Sequence, residues 1–380
     1  MRFGVSIEDL NDPLDRELLR ALARELKLDH CFKFVDMSKL WPAEDRWFFD
    51  KLDDDVRAIL DAGLDLGLRL LWCPPHAAQG KPTYLEYAQG SSAISDGTNC
   101  GALYCGHLAA DHGNAGCIAC AQDAGQLPVR VDHGFAPLPP GILRLAIERD
   151  YVRRPPHIDS GKMRLIGRTL GERYGPFVKW WSVLNEIDGD TYNPAIHGAF
   201  DQEGAFTRMA NEVIVPLSEG LQAVRPFAVL NGPEASGGDG FRRMLEKTGD
   251  SYSYYTVHRY LRGGLDEFHD QMNFYAEMLR RWGVANTVDV RNSMWLTEAG
   301  DAGDGSRLVE LSREVMARYG DVLHGISYYM TPQNASMFFN RQPDGRYVLH
   351  AQGRALRDFI ARQRPPIIAA GPGRRRAVPA

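Results

Sequence analysis

The stretch KWWSVLNEIDG, Lys179 to Gly189, decides the reading of this chain. An aromatic and aliphatic run of the kind that forms a buried strand stops abruptly at an amide and a carboxylate, Asn185 and Glu186. Parallel strands covered on both faces read as continuous apolar runs rather than alternating ones. Polar groups at the C-terminal end of such a strand stand where barrel enzymes place their chemistry.

The same grammar recurs along the chain. RFGVSI (Arg2–Ile7), HCFKFV (His30–Val35), LRLLWC (Leu68–Cys73), VKWWSVLN, FAVLNG (Phe227–Gly232), YSYYTVH (Tyr252–His258), SMWLTE (Ser293–Glu298) and GISYYM (Gly325–Met330) are eight strand candidates. Helical spacing lies between them, as in Leu18, Leu19, Leu22 and Leu26, or Leu308, Leu311, Val315 and Tyr319, and a last helix is expected near Gln352–Gln363. Eight βα units in a chain of 380 residues predict an α/β fold, a (β/α)8 TIM barrel over 1–363. A doubly wound sheet is the competitor, but no G-x-G-x-x-G follows the first strand.

Between Pro74 and about His157 the periodicity lapses into Gly, Pro, Cys and His, which is read as a long Cys-containing insertion (76–157) after strand 3. Within it, Cys100, Cys105, Cys117 and Cys120 form C-x4-C-x11-C-x2-C. Two close pairs suit one tetrahedral structural zinc, with two disulfides or free thiols as the alternatives and His107 and His112 as substitute ligands. Cys31 and Cys73, on strands, are expected as buried thiols. Residues 364–380, rich in Pro, Gly and Arg, are expected to be a flexible tail.

The net charge of −5 is spread along the chain and gives no electrostatic case for nucleic acid or an anionic membrane. No apolar run approaches the roughly 18 residues of a membrane span. The N-terminus lacks the n-region and h-region of a signal peptide, so the expected location is the cytoplasm, or outside the cell if a leader was removed.

Two strands end in glutamate, the fourth at Glu186 and the seventh at Glu298. Paired carboxylates break glycosidic bonds because one gives the leaving oxygen a proton while the other attacks the anomeric carbon. ERYGPFVKWWSVLNEID (Glu172–Asp188), YYTVHRY (Tyr254–Tyr260) and MWLTEAG (Met294–Gly300) resemble, in order and spacing, the fourth, sixth and seventh strands of glycoside hydrolase clan A, with family 39 and its relatives in family 5 the nearest in character.

That resemblance implies a retaining glycosidase acting on β-linked glycans, with an oligo- or polysaccharide as substrate and no cofactor in catalysis. It implies Glu186 as acid/base, Glu298 as nucleophile, Asn185 on the sugar 2-hydroxyl, Tyr260 against the nucleophile and His258 lining the cleft. The chain departs from the clan at two places. Lys33 stands where the second strand usually ends in an Arg, and Tyr328 and Tyr329 stand where the eighth strand often presents a Trp.

Trp72, Trp181 and Trp295 are candidate sugar platforms, with core the default for Trp181. Asp36, Asp188, Glu234 and Asp301 are further carboxylates placed at the mouth and candidate acceptors for sugar hydroxyls, with helix capping or loop solvation the default. The alternatives to a glycosidase are a non-catalytic glycan-binding barrel and a metal-dependent barrel enzyme.

Overall fold

The computed structural model describes residues 1–7, 13–74, 77, 158–187, 206–261, 264–301, 307–329 and 338–363. Eight parallel strands close on themselves in chain order: β1 (Arg2–Ile7), β2 (His30–Asp36), β3 (Asp65–Leu71), β4 (Val178–Val183), β5 (Leu230–Ala235), β6 (Tyr254–Leu261), β7 (Met294–Asp301) and β8 (Leu323–Tyr329), the last pairing back onto β1. The described helices are α1 (Pro13–Leu26), α2 (Met37–Leu40), α3 (Asp50–Asp61), α4 (Ser160–Tyr174), α5 (Val215–Val224), α6 (Gly238–Thr248), α7 (Leu265–Asn286), α8 (Leu308–Tyr319) and α9 (Ala351–Gln363). A short π-helix (Met209–Ile214) leads into α5, and a small hairpin of β9 (Phe339–Arg341) and β10 (Tyr347–Leu349) precedes α9. This is the (β/α)8 barrel that the eight apolar runs predicted.

Each helix buries the stripe its spacing defines. Leu18, Leu19, Leu22 and Leu26 of α1 and Leu308, Leu311, Val315 and Tyr319 of α8 all lie in the core. Trp181 is also core, as expected, and Cys31 and Cys73 are buried free thiols. Asp36 caps α2, accepting from the backbone N–H groups of Ser38 and Lys39.

The barrel lumen is filled from two ends. At the N-terminal end His30, Phe32, Trp180 and Trp295 pack together with ring centroids 4.9–6.1 Å apart, edge to face except for the tilted Phe32–Trp180 pair. Gly4 and Gly67 make room for this floor, since a Cβ on Gly4 would lie 2.3 Å from the His30 ring and one on Gly67 2.4 Å from Phe32. Trp295 is therefore floor packing and no sugar platform.

Strand alternation corrects two further expectations. His30, Phe32 and the cation-bearing neighbour Phe34 face the lumen, so Lys33 faces outward. It is buried in the barrel–helix layer, where its ammonium lies 3.5 Å from Asp55 of α3 and donates to the Phe34 carbonyl at 2.7 Å. On β8, Ser327 reaches His30 in the lumen, so Tyr328 points the other way and shares a 2.7 Å hydrogen bond with Ser312 of α8. Neither residue is at the mouth.

The insertion 76–157 with its four cysteines, Asp188, and the tail 364–380 lie outside the described residues, apart from Ala77. The side chain of Asp301 is likewise not described. Among the described residues no helix is long and apolar enough to cross a membrane.

Candidate active site

The mouth of the barrel gathers three glutamates from three strands. Glu186 follows β4, Glu234 sits near the end of β5, and Glu298 lies on β7. Two bulges aim the last two inward. The β6–β7 register skips at Val257/His258, and the β5–β6 register shifts between Gly232 and Ala235. A bulge breaks the two-residue alternation of a strand and re-aims its side chains. It lets the consecutive residues Thr297 and Glu298 both reach the lumen: Thr297 Oγ1 donates to Glu234 Oε2 at 2.5 Å while Glu298 accepts from Tyr260.

Backbone strain collects at the same rim. Trp72, Leu184, Glu186 and Glu234 have positive φ, at +49°, +66°, +41° and +52°. Such conformations cost on the order of 1–3 kcal/mol each and cluster at functional sites.

Glu298 is held through both oxygens. Arg69, fully buried on β3, donates from Nη1 to Oε1, and Tyr260 donates to Oε2 at 2.6 Å. Arg69 also donates from Nη2 to the Thr297 carbonyl at 3.1 Å and lies 3.5 Å from Glu234 Oε2. Burial and the Glu298 charge push the Tyr260 phenol far above its usual range, so it stays a donor.

His258 is the hub. Its Nδ1 lies 3.1 Å from Glu186 Oε1 and 3.5 Å from Glu298 Oε2, and its Nε2 lies 2.8 Å from Glu234 Oε2. Burial disfavours its charge, but the three carboxylates outweigh burial and lift its pKa to about 9, so it is an imidazolium at neutral pH. Burial likewise opposes ionisation of Glu234, and Arg69, His258 and Ser182 overcome it, holding that carboxyl down at about 2.

The structure thus brings together Glu186, Glu298, His258 and Tyr260 among the expected site residues. Glu186, His258 and Glu298 each present a ligand atom within 4.8 Å of the others. Asn185 is buried beside Glu186, and its Oδ1 has no hydrogen-bond partner among the described residues. Trp72 sits half-buried just past β3. Tyr329, not Tyr328, stands at the rim, edge-on to Phe34 and Tyr260 with centroids 6.3 and 6.2 Å away.

Arg69 escaped the reading of the sequence, which also gave Glu234, one of its mouth carboxylates, no part beside His258. Glu234 is no loop or cap residue but a buried partner of His258. Arg69 carried a signal, since a charge inside an apolar run such as LRLL is costly to bury and has to be paired, whereas Glu234 follows an Asn, a Gly and a Pro that hide its strand. Arg69 supplies, from β3, the support for Glu298 that was sought at Lys33.

A cation at the Glu186–His258–Glu298 cluster would have to share it with the Arg69 guanidinium and an imidazolium, a donor set that suits bound protons better than a divalent ion.

Fold and mouth together define a (β/α)8 barrel whose titratable groups converge at the C-terminal ends of its strands. No family model matches the chain, and no curated protein is similar to it. Its likeness to solved structures is in the fold. An exo-β-1,4-mannosidase from Opitutaceae bacterium strain TAV5 superposes with a TM-score of 0.52 at 12% identity, covering 96% of this chain and 59% of that one. A trimodular family 5 subfamily 4 endoglucanase gives 0.51 at 12%, covering 94% and 60%. A family 30 endoxylanase from Clostridium papyrosolvens C71 gives 0.50 at 12%, covering 96% and 72%. All three neighbours are glycoside hydrolases, and this chain spans about three-fifths of the length of the first two.

Proposed function

We propose that the protein is a retaining glycoside hydrolase of β-linked glycans, with Glu298 as nucleophile and Glu186 as acid/base. The observation that supports this most is the close approach of the two carboxylates, one oxygen of each lying within 4.8 Å of the other, which leaves less room for a water between them than an inverting pair needs. Retaining enzymes hold the pair roughly 5–5.5 Å apart and inverting enzymes roughly 6.5–9.5 Å, the extra room being for a water.

In the first step a Glu298 oxygen bonds to the anomeric carbon as the bond to the leaving oxygen breaks, and Glu186 gives that oxygen its proton. In the second, Glu186 takes a proton from water, the water oxygen bonds to the anomeric carbon, and the ester to Glu298 breaks. Arg69 and Tyr260 fix the direction of the attacking carboxylate. The unpartnered Oδ1 of Asn185 is placed to accept from a sugar hydroxyl, and Tyr329 and Trp72 border the opening. The four cysteines of the insertion would bind a structural zinc, because four protein ligands leave no open position on the ion for catalysis. Metal analysis showing one zinc per chain, lost in a Cys117→Ser variant, tests that assignment.

A 2-deoxy-2-fluoroglycoside panel followed by peptide mapping tests the main reading: label on Glu298 supports it. Glu298→Gln is expected to lose turnover by on the order of 10^4-fold or more. Glu186→Gln should lose least on aryl glycosides whose leaving group needs no proton. Binding without turnover in the wild type, and no label, would select the non-catalytic glycan-binding barrel instead.

A further inference from the structure

Glu234 is the mouth glutamate that double displacement does not use. It is fully buried, and its Oε2 accepts from His258 Nε2 at 2.8 Å and from the Thr297 hydroxyl at 2.5 Å, with Arg69 Nη2 at 3.5 Å. Its own backbone N–H donates to Thr256 Oγ1 at 2.9 Å, which fixes the strained bend that carries it. These contacts all converge on Oε2 and aim it at the imidazole, while Oε1 is buried with no hydrogen-bond partner among the described residues.

The consequence lies on the other side of the ring. A carboxylate that accepts from Nε2 commits that nitrogen to being the donor, so only Nδ1 is left to gain or lose a proton. Nδ1 faces Glu186 Oε1 at 3.1 Å. The other charged groups against His258 are Glu298, 3.5 Å from Nδ1, and Arg69, which opposes its charge.

We propose that Glu234 is a positioning residue that locks His258 in the Nε2–H form, so that Glu186 and His258 hold one proton between them and titrate as a single acid. This rests on Glu186 being the acid/base. The pair carries one proton, on Glu186 or on Nδ1, when the enzyme is ready. It gives that proton to the leaving oxygen, stands empty in the glycosyl-enzyme, and regains it from the attacking water. The alkaline limb of the rate profile then belongs to the pair, not to a lone carboxyl.

The test has two arms. In the wild-type protein, nitrogen NMR of the ring should show the neutral His258 as the Nε2–H tautomer. Glu234→Gln removes an opposite charge, worth about 1–3 pKa units at this range. The alkaline limb of kcat/KM should therefore move toward acid by about one unit or more, a loss of about tenfold beyond the limb with little change on the acid plateau. Glu234→Asp, which keeps the charge, should move it less. An Nδ1–H tautomer in the wild type, or coincident limbs in Glu234→Gln and wild type, would overturn the proposal. The ring signals need no turnover. An inactive chain with the Nε2–H tautomer would refute the glycosidase reading alone, and an active chain with Nδ1–H would refute the shared proton alone.

Discussion

The two ends of the barrel lumen each bury a histidine, and they treat it in opposite ways. At the floor, His30 is ringed by Phe32, Trp180 and Trp295, with one hydrogen bond, Nε2 to Ser327 Oγ at 2.8 Å. Burial and the nearby Arg2 drive its pKa well below the usual value, so it is a neutral packing piece. At the mouth, His258 is as deeply buried but faces three carboxylates and is charged. The same side chain in the same barrel is a plug or a proton carrier according to what its neighbours can accept. Burial alone does not mark a functional histidine, whereas burial overcome by specific partners does.

Removing the centre of the charged end should have the largest effect on stability. Arg69→Met strands Glu298 and weakens the hold on Glu234, both in the lumen. Breaking a buried pair from one side costs about 3–5 kcal/mol. The stability deficit, measured by urea unfolding, should shrink as pH falls and the stranded carboxylates protonate. A deficit independent of pH would mean that Arg69 acts by packing, which would blur the contrast between the two ends.

The floor should respond to volume and not to charge. A Cβ at Gly4 would meet the His30 ring at 2.3 Å, and the ring is hemmed in by three aromatics. Gly4→Ala is therefore expected to cost about 1–3 kcal/mol, as overpacking does. Turnover per folded molecule and the pH profile should be unchanged. A shifted pH profile would show that the two ends are coupled.

The contrast also explains what could be read in advance. The barrel was legible because each strand is an apolar run with a polar end, and the bounds of β1 (Arg2–Ile7) were read as found. Which residues face inward was not legible. A parallel strand covered on both faces shows no alternation, so nothing in CFKFVDM says that Phe34 rather than Lys33 faces the lumen. Pro233 made β5 seem to end at Gly232, although the strand starts three residues later than expected, at Leu230, and carries Glu234 beyond the proline. The bulges at Glu234 and Glu298 then reset the alternation in a way fixed by neighbouring strands. Glu186, Glu298, His258 and Tyr260 were legible because each is a polar group in or just after the C-terminal half of an apolar run, although β6 and β7 continue past His258 and Glu298 to Leu261 and Asp301.

The last expected effect, a slope of stability with pH, is the most direct measure of the difference between the two ends. A histidine whose folded pKa is raised adds stability that is whole below its unfolded value, 6.5, and is lost as pH rises through the folded one, about 9 for His258. A histidine whose folded pKa is lowered adds stability that is present above 6.5 and is lost as pH falls, which is the case of His30. Glu234 adds a further loss in acid, from 4.5 down to about 2. Unfolding free energy should thus be greatest near neutrality and decline on both sides, by on the order of 1 kcal/mol per pH unit for one shifted group. His258→Asn should flatten the decline between pH 6.5 and 9, and, because His258 also helps to hold Glu234 down, soften the part of the acid decline that Glu234 sets while leaving the part set by His30. If the decline between pH 6.5 and 9 were unchanged, His258 would be neutral in the folded chain, and the mouth would be packed by the same rule as the floor.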